Sequence, residues 1–387
     1  MAGIYIHIPF CKQACYYCDF HFSTSLKYKE GMVKALVHEL ELRKEELNGH
    51  LVETIYFGGG TPSLLTVPEA QLLIDTIYSH YKVTENPEIT LEANPDDLTI
   101  QRIQEYSNTQ INRLSIGIQS FFDRDLELMN RAHNAAEAKA CLQEAGRYFG
   151  NITIDLIYGI PGLTDERWKE NLQTAFDAGI NHISSYALTV EPHTALADFI
   201  RKGKYPQVSE EQAASQFMIL KEQTERAGFI HYELSNFGKP GYFSKHNTAY
   251  WQGKSYLGIG PSAHSYNGVQ RSWNVANNVK YIKAIERGQL CNEVEQLAVK
   301  EQFNEMIMTG LRTMWGVSLN EIEVRFGVPV KAELLQNAQK FIDQGLLVIA
   351  VDPVQDDRTN GSSCILKLTQ KGLFLSDGIA SELFMID

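Results

Sequence analysis

Short apolar, often β-branched runs recur through the first half of the chain, at Gly3 to Ile8, Thr54 to Phe57, Ile89 to Leu91, Arg113 to Ile116, Ile152 to Ile157 and His182 to Leu188. Each has the length and texture of a strand. Between them apolar residues return at helical spacing: Met32, Leu36, Leu40 and Leu47; Leu72, Ile74 and Ile77; Ile103 and Tyr106; Ala138, Leu142 and Ala145; Trp168, Leu172 and Phe176. Phe217, Leu220 and Thr224 continue the series after the last run. Strand followed by helix, repeated about six times, predicts an α/β fold with a parallel sheet joined by right-handed crossovers. Six units fall short of a closed eight-stranded barrel, which leaves an open doubly wound sheet or a partial (β/α)6 barrel. In either, chemistry is expected at the carboxyl ends of the strands.

The texture changes around Tyr232 to Tyr266, where Gly, Ser, Asn, His and aromatic residues dominate, including Trp251, Tyr256, Gly258, Gly260 and Pro261. This reads as an elaborated loop region. Helical spacing resumes with Phe303, Met306, Met308 and Leu311, then Leu334, Leu335 and Phe341, and the tail GLLVIAVDPVQDDRTNGSSCILKLTQKGLFL reads as a hairpin followed by a helix. The expected division is a core over 1–228, a linking region over 229–296 and a small C-terminal winged-helix-like module over 297–387. Asp352, Asp356 and Asp357 fall in the wing, so this module is better suited to packing or partner docking than to DNA. There is no internal repeat and no low-complexity tract.

Composition narrows the functional classes. With 387 residues, 44% of them hydrophobic and 21% charged, the chain can bury one large core and a smaller one. A formal charge of -12 offers no broad basic field to a phosphate backbone, which argues against nucleic acid as the main partner. No stretch approaches the roughly 20 apolar residues of a membrane span, so stable insertion is not expected. The start, MAGIYIHIPFC, lacks the basic and apolar regions of a signal peptide, and the expected location is the reducing cytoplasm. Six cysteines without even spacing do not make a disulfide framework.

Three of those cysteines do form a pattern. PFCKQACYYCDF sets Cys11, Cys15 and Cys18 at spacings of four and three residues directly after the first strand, where a loop can wrap an inorganic cluster. Three ligands leave one coordination site for a substrate, and an open iron implies chemistry there. A zinc site completed by a distant His7 or Cys141 is the other reading. The CxxxCxxC spacing resembles the signature of radical SAM proteins. That resemblance implies a 4Fe-4S cluster whose fourth iron is chelated by S-adenosylmethionine (SAM), with an electron from the reduced cluster cleaving the sulfonium to a 5'-deoxyadenosyl radical.

After the second strand comes YFGGGTPS, where Gly58, Gly59 and Gly60 leave backbone groups free for close approach. Glu92, Gln119, Arg131 and Asp155 sit where later strands end. Taken singly, the glycines also suit a tight turn and each polar residue a cap or a satisfied buried group. Together they supply the donors and acceptors that a zwitterion with a ribose requires. Resemblance to the coproporphyrinogen oxidase branch of radical SAM proteins, over nearly the whole chain, implies SAM contacts at Tyr5, Phe20, Gly58, Gly59, Gly60, Thr61, Glu92, Gln119, Arg131, Asp155 and Ala187.

Two related groups share that architecture, the oxygen-independent coproporphyrinogen III oxidases and the HemW-type heme chaperones. The oxidases carry a further cysteine two residues after the third ligand, where this chain has Phe20, and a long N-terminal extension, whereas here the cluster begins at residue 11. KHNTAYWQG contains His246, Asn247, Tyr250 and Trp251 and is similar to the HNxxYW motif of the heme chaperones. Imidazole is a common axial ligand of heme iron, and aromatic rings suit a porphyrin face. In a helix His246 and Tyr250 would share one face. The resemblance thus implies a heme chaperone that binds heme, a 4Fe-4S cluster and SAM and passes heme to an apo-protein. An electron donor such as a flavodoxin or ferredoxin goes with it, and coproporphyrinogen oxidase activity does not. The alternative is that oxidase, an oxidative decarboxylase of heme biosynthesis.

Overall fold

The computed structural model describes residues 1–351 and 364–386. The six runs form parallel strands β1 (Ala2–Ile8), β2 (Val52–Gly59), β3 (Val83–Ala93), β4 (Arg113–Gln119), β5 (Ile152–Tyr158) and β6 (His182–Ala187), side by side in chain order. When sequential strands neighbour one another in one direction, right-handed crossovers put every helix on the same side. The helices Lys29–Leu42, Val67–His80, Ile100–Ser107 and Ala135–Tyr148 accordingly pack each on the next. That excludes the doubly wound alternative, and the fold is a partial barrel.

Alternation along the strands sets the two faces. Ile4, Ile6 and Ile8 of β1, Ile55 and Phe57 of β2, Ile89 and Leu91 of β3, and Ile154 and Leu156 of β5 are buried in one core with the helices. The intervening positions, Tyr5, Tyr56, Glu92, Arg113, Asp155 and Ser184, form a polar and aromatic inner face. In the helix Val67–His80, Leu73 is buried and Leu72 is 48% exposed, which corrects the expected face by one position. Leu47 lies beyond its helix, in the following turn, yet is buried.

The region Tyr232 to Tyr266, expected to be an elaborated loop, folds instead and together with the residues flanking it widens the sheet at both edges. On one side β7 (Ile230–Glu233) and β8 (Asn236–Gly238) pair antiparallel, with β8 against β6. On the other, β9 (Ser255–Ile259) adds in parallel to β1, followed by antiparallel β10 (His264–Tyr266), β11 (Gln270–Asn274) and β12 (Asn292–Gln296). Among the described residues the result is one sheet of twelve strands. These strands are only three to five residues long and largely polar, so they carry little periodic signal and the local pattern does not reveal their pairing.

A buried carboxylate fastens this extension. Glu39, fully buried on the first helix, accepts from Arg43 (3.1 Å), Tyr281 (2.6 Å), Asn274 (2.7 Å) and the Gly260 N–H (2.8 Å), while Arg43 also reaches the Gly258 carbonyl at 2.8 Å. A second apolar core gathers Phe303, Ile307, Leu311, Leu334, Phe341 and Leu366. It joins the helices Val299–Leu311, Leu319–Phe326 and Val328–Asp343 to a three-stranded sheet of β13 (Val317–Ser318), β14 (Leu347–Val351) and β15 (Cys364–Leu368), followed by the helix Ser376–Glu382. The expected wing acids Asp352, Asp356 and Asp357 lie outside the described residues. Among those residues no helix is long and apolar enough to cross a membrane.

Candidate functional site

The carboxyl ends of β1 to β5 converge on the cysteine loop. Cys11, Cys15 and Cys18 are all partly exposed, and the loop is pinned by backbone bonds from Cys11 to Ser23 (3.1 Å) and from Tyr16 to Met129 (3.1 Å). Burial, then the neighbouring thiols, pushes Cys11 up to about 11, with the Thr61 hydroxyl acting the other way, and Cys18 shifts upward for the same leading reason. A bound cation is what such a set needs to hold its thiolates. His7 is engaged elsewhere, with Nδ1 at 3.2 Å from the Tyr5 hydroxyl and Nε2 at 3.0 Å from the His21 carbonyl. Cys141 is buried in the helical layer. Among the described residues no three His, Cys, Asp or Glu groups close on a single ion. Three soft thiol donors on one loop, with His7 and Cys141 both held elsewhere, are a donor set that suits an Fe-S cluster with one iron left open.

Arg131 is the cation beside the loop. Its Nη1 donates to Cys15 Sγ at 3.3 Å and its Nη2 to Asn94 Oδ1 (2.6 Å) and the Gly117 carbonyl (2.9 Å), while its buried Nε has no partner. An orphaned guanidinium donor next to an iron ligand matches the carboxylate of a chelating amino acid. Asn94 also donates to Thr61 Oγ1 at 3.2 Å. It lies two residues after Glu92 at the same strand end, a signal that the sequence reading passed over.

The glycine run serves the protein before any ligand. A Cβ on Gly58 would sit 2.8 Å from the Tyr5 ring and one on Gly59 would sit 2.5 Å from the His7 ring. A Cβ on Gly60 would sit 2.6 Å from the Phe10 carbonyl. β1 and the start of the cysteine loop therefore stand where side chains on these residues would have to go, which is what requires glycine at all three. Backbone bonds from Gly60 to Ile8 (2.9 Å) and from Thr61 to Phe10 (2.6 Å) stitch the run to that loop.

Glu92 of β3 and Asp155 of β5 face the interior. Glu92 accepts from the Tyr56 hydroxyl at 2.8 Å. Burial, then the charge of Asp155, pushes Glu92 up to about 7, and burial pushes Asp155 up to about 6. Two carboxyls poised near neutrality can change protonation when a ligand brings donors. Gln119 closes β4 at a register shift, with φ of 66°, a left-handed conformation that turns its buried side chain out of the strand alternation. Ala187 ends β6, opposite Tyr158. Phe20 is 75% exposed.

The HNxxYW segment lies elsewhere. It forms the helix Lys245–Trp251 at the amino ends of β1 and β2, where a Cβ on Gly3 would sit 3.2 Å from the His246 ring. From Gly3 to Ile8 the strand rises roughly 17 Å, which separates this helix from the cysteine loop. His246 and Tyr250 share a helix face, as expected, and both border a small hollow with Thr54 and Tyr256. His246 Nδ1 shares a 2.8 Å hydrogen bond with Thr54 Oγ1, and its ring stacks on Tyr56 with centroids 5.0 Å apart. Burial, then the charge of Arg113, lowers His246 to about 4, so the imidazole is neutral.

Buried groups that the sequence reading missed hold this helix in place. Both oxygens of Glu88 accept helix N–H groups, from Lys245 and His246, each at 3.1 Å. Ser244 caps the helix by accepting from the Asn247 N–H at 3.2 Å. Tyr232, bonded to His182 at 2.7 Å, accepts from the Ser244 N–H at 3.2 Å. Tyr250 is 49% exposed and, with Trp251, faces a cleft toward the C-terminal module.

Comparison with known proteins agrees with this layout. Residues 5–186 match the Radical SAM superfamily model and residues 297–352 the HemN C-terminal domain model. The heme chaperone HemW of Bacillus subtilis is 35% identical, over 90% of this chain and 93% of that protein. HemW of Mycobacterium tuberculosis (strain H37Rv) is 33% identical over 98% and 94%. The mouse mitochondrial radical S-adenosyl methionine domain-containing protein 1 is 33% identical over 82% and 74%. Among solved structures, the coproporphyrinogen III oxidase HemN of Escherichia coli superposes with a TM-score of 0.82 at 22% identity, over 99% of this chain and 90% of that one.

Proposed function

The chain belongs to the HemW heme chaperone family of radical SAM proteins, and on that premise we propose that it binds a 4Fe-4S cluster, SAM and heme, and delivers the heme to an apo-protein. Cys11, Cys15 and Cys18 would hold three irons of the cluster. The reduced cluster with SAM on its open iron supplies one-electron cleavage of the sulfonium. The free Nε of Arg131 suits the SAM carboxylate, and Glu92 and Asp155 offer acceptors for its ammonium and ribose hydroxyls. Tyr5, Phe20, Gly58, Gly59, Gly60, Thr61, Gln119 and Ala187 would complete that contact set along the same strand ends. The division into a core over 1–228, a linking region over 229–296 and a module over 297–387 belongs to the same reading, as do a cytoplasmic setting and a flavodoxin- or ferredoxin-like electron donor.

The observation that carries the chaperone reading is the HNxxYW helix, seated by Glu88, Ser244 and Thr54 and presenting Tyr250 and Trp251 outward. The test is anaerobic. Cluster-loaded protein is titrated with heme, then mixed with an apo-heme protein whose returning absorbance reports transfer. Saturable binding followed by transfer is expected. If the protein binds no heme and instead decarboxylates coproporphyrinogen with SAM, the oxidase reading takes its place.

A further inference from the structure

Where heme would lie is decided by a cleft that the motif alone does not define. Between the outer end of the motif helix and the C-terminal module is a space of about 310 Å3, within the size range of ligand pockets. Tyr250 and Trp251 line it on one side. Met306, Trp315 and Arg325 line it on the other, with Tyr256 and Tyr266 of β9 and β10 at the back. Flat aromatic surfaces on both sides suit a macrocycle, and an arginine at the edge suits a carboxylate side arm.

The cleft also restricts the choice of iron ligand. None of the described residues lining it is a histidine or a cysteine. His246 itself is turned inward, bonded to Thr54 and stacked on Tyr56. Burial raises Tyr256 and Tyr266, which disfavours their phenolates. Met306 offers a neutral donor on the wall opposite Tyr250, a thioether on the helix Val299–Leu311 with Sδ 4.0 Å from Arg325 Nη1. Thioethers are established axial ligands of heme iron. Two carboxylates also border the space. Glu305 is paired with Arg271 through one oxygen while its buried Oε2 has no partner, and Glu321 accepts from Arg325 at 3.2 Å, so a propionate on Arg325 would share that guanidinium with Glu321.

We propose that heme docks in this cleft, its macrocycle between Tyr250 and Trp251 on one side and Trp315 on the other, its iron toward Met306 and a propionate on Arg325, with His246 acting as a positioning residue that holds the motif helix. This rests on the heme-binding reading above. It makes the C-terminal module half of the binding site and puts heme on the far side of the barrel from the cysteine loop.

The experiment is an equilibrium heme titration of the full chain, read by absorbance in both oxidation states, with Met306→Leu, Arg325→Gln and His246→Gln and with Val324→Ser as a control on the exposed side of the same module. Circular dichroism checks that each variant is folded. Met306→Leu is expected to weaken binding at least ~10-fold and to change the axial-ligand spectrum, and Arg325→Gln to weaken it ~10-fold with the spectrum unchanged. His246→Gln should lower affinity without altering the spectrum. If wild type binds heme but Met306→Leu keeps its spectrum while His246→Gln loses it, the cleft assignment is overturned and the heme reading stands. If wild type binds no heme, both fall.

Discussion

Glu88→Gln isolates what seats the motif helix. In the folded chain the two Glu88 oxygens accept from the Lys245 and His246 N–H groups, both at 3.1 Å, and Glu88 is 5% exposed. The amide keeps the size but turns one acceptor into a donor, so one helix N–H faces another donor with little water to replace it. A hydrogen bond to a charged acceptor contributes about 1.5–3 kcal/mol, and stranding a buried donor raises the loss toward the upper end. About 3 kcal/mol of local stability should therefore go, a ~100-fold change in the opening equilibrium. The readout is hydrogen exchange of residues 245–251, which should accelerate by about that factor while the amides of β4 and β5 keep their protection. Heme affinity should fall with it, because Tyr250 and Trp251 are presented by this helix. Unchanged exchange at 245–251 would mean that Ser244 and Thr54 suffice, and the reasoning would be refuted.

Four further expectations test the other parts. Gly60→Ala places a methyl against the Phe10 carbonyl and should displace the cysteine loop, so that reconstituted iron content falls well below the wild-type value at similar overall helicity. Arg131→Gln should retain the cluster's spectroscopic signal while weakening SAM binding by ~10–100-fold, the value of a charge-assisted pair. Glu92 and Asp155 have raised values, so the stability linked to their protonation is complete below 4.5 and 3.8 and is lost as pH rises through about 7 and about 6 respectively. Since SAM donors favour the carboxylates, SAM binding should release protons between about pH 6 and 7 and raise the melting temperature more on the alkaline side of that window, which calorimetry in buffers of different ionisation enthalpy will show. Glu39→Leu removes the acceptor shared by Arg43, Tyr281, Asn274 and Gly260; Arg43 keeps Glu46 as its counter-charge, but the buried Tyr281 hydroxyl and Gly260 N–H lose their partner, so chemical denaturation should show stability lower by about 3 kcal/mol.

The six β/α units, the cysteine loop and the HNxxYW segment were legible in the chain itself, because strand alternation, helical spacing and ligand spacing are local properties written over a few residues. The alternation even held the answer to the barrel question. Tyr5, Tyr56, Glu92 and Asp155 fall on the face opposite Ile4, Ile55, Leu91 and Ile154, whereas a sheet covered by helices on both sides would have apolar residues at both sets of positions. What only tertiary structure decided was which end of the strands each motif occupies and what surrounds it. Strands β7 to β12 pair through backbone groups, which are the same in every residue, so their partners leave little trace in side-chain pattern. Met306, Trp315 and Arg325 reach Tyr250 and Trp251 only because the C-terminal module packs across that edge. Likewise the inward turn of His246 depends on Thr54, Tyr56 and Glu88, residues more than 150 positions away in the chain. Contacts at such separation are fixed by the burial of whole elements, and no local stretch of sequence contains them.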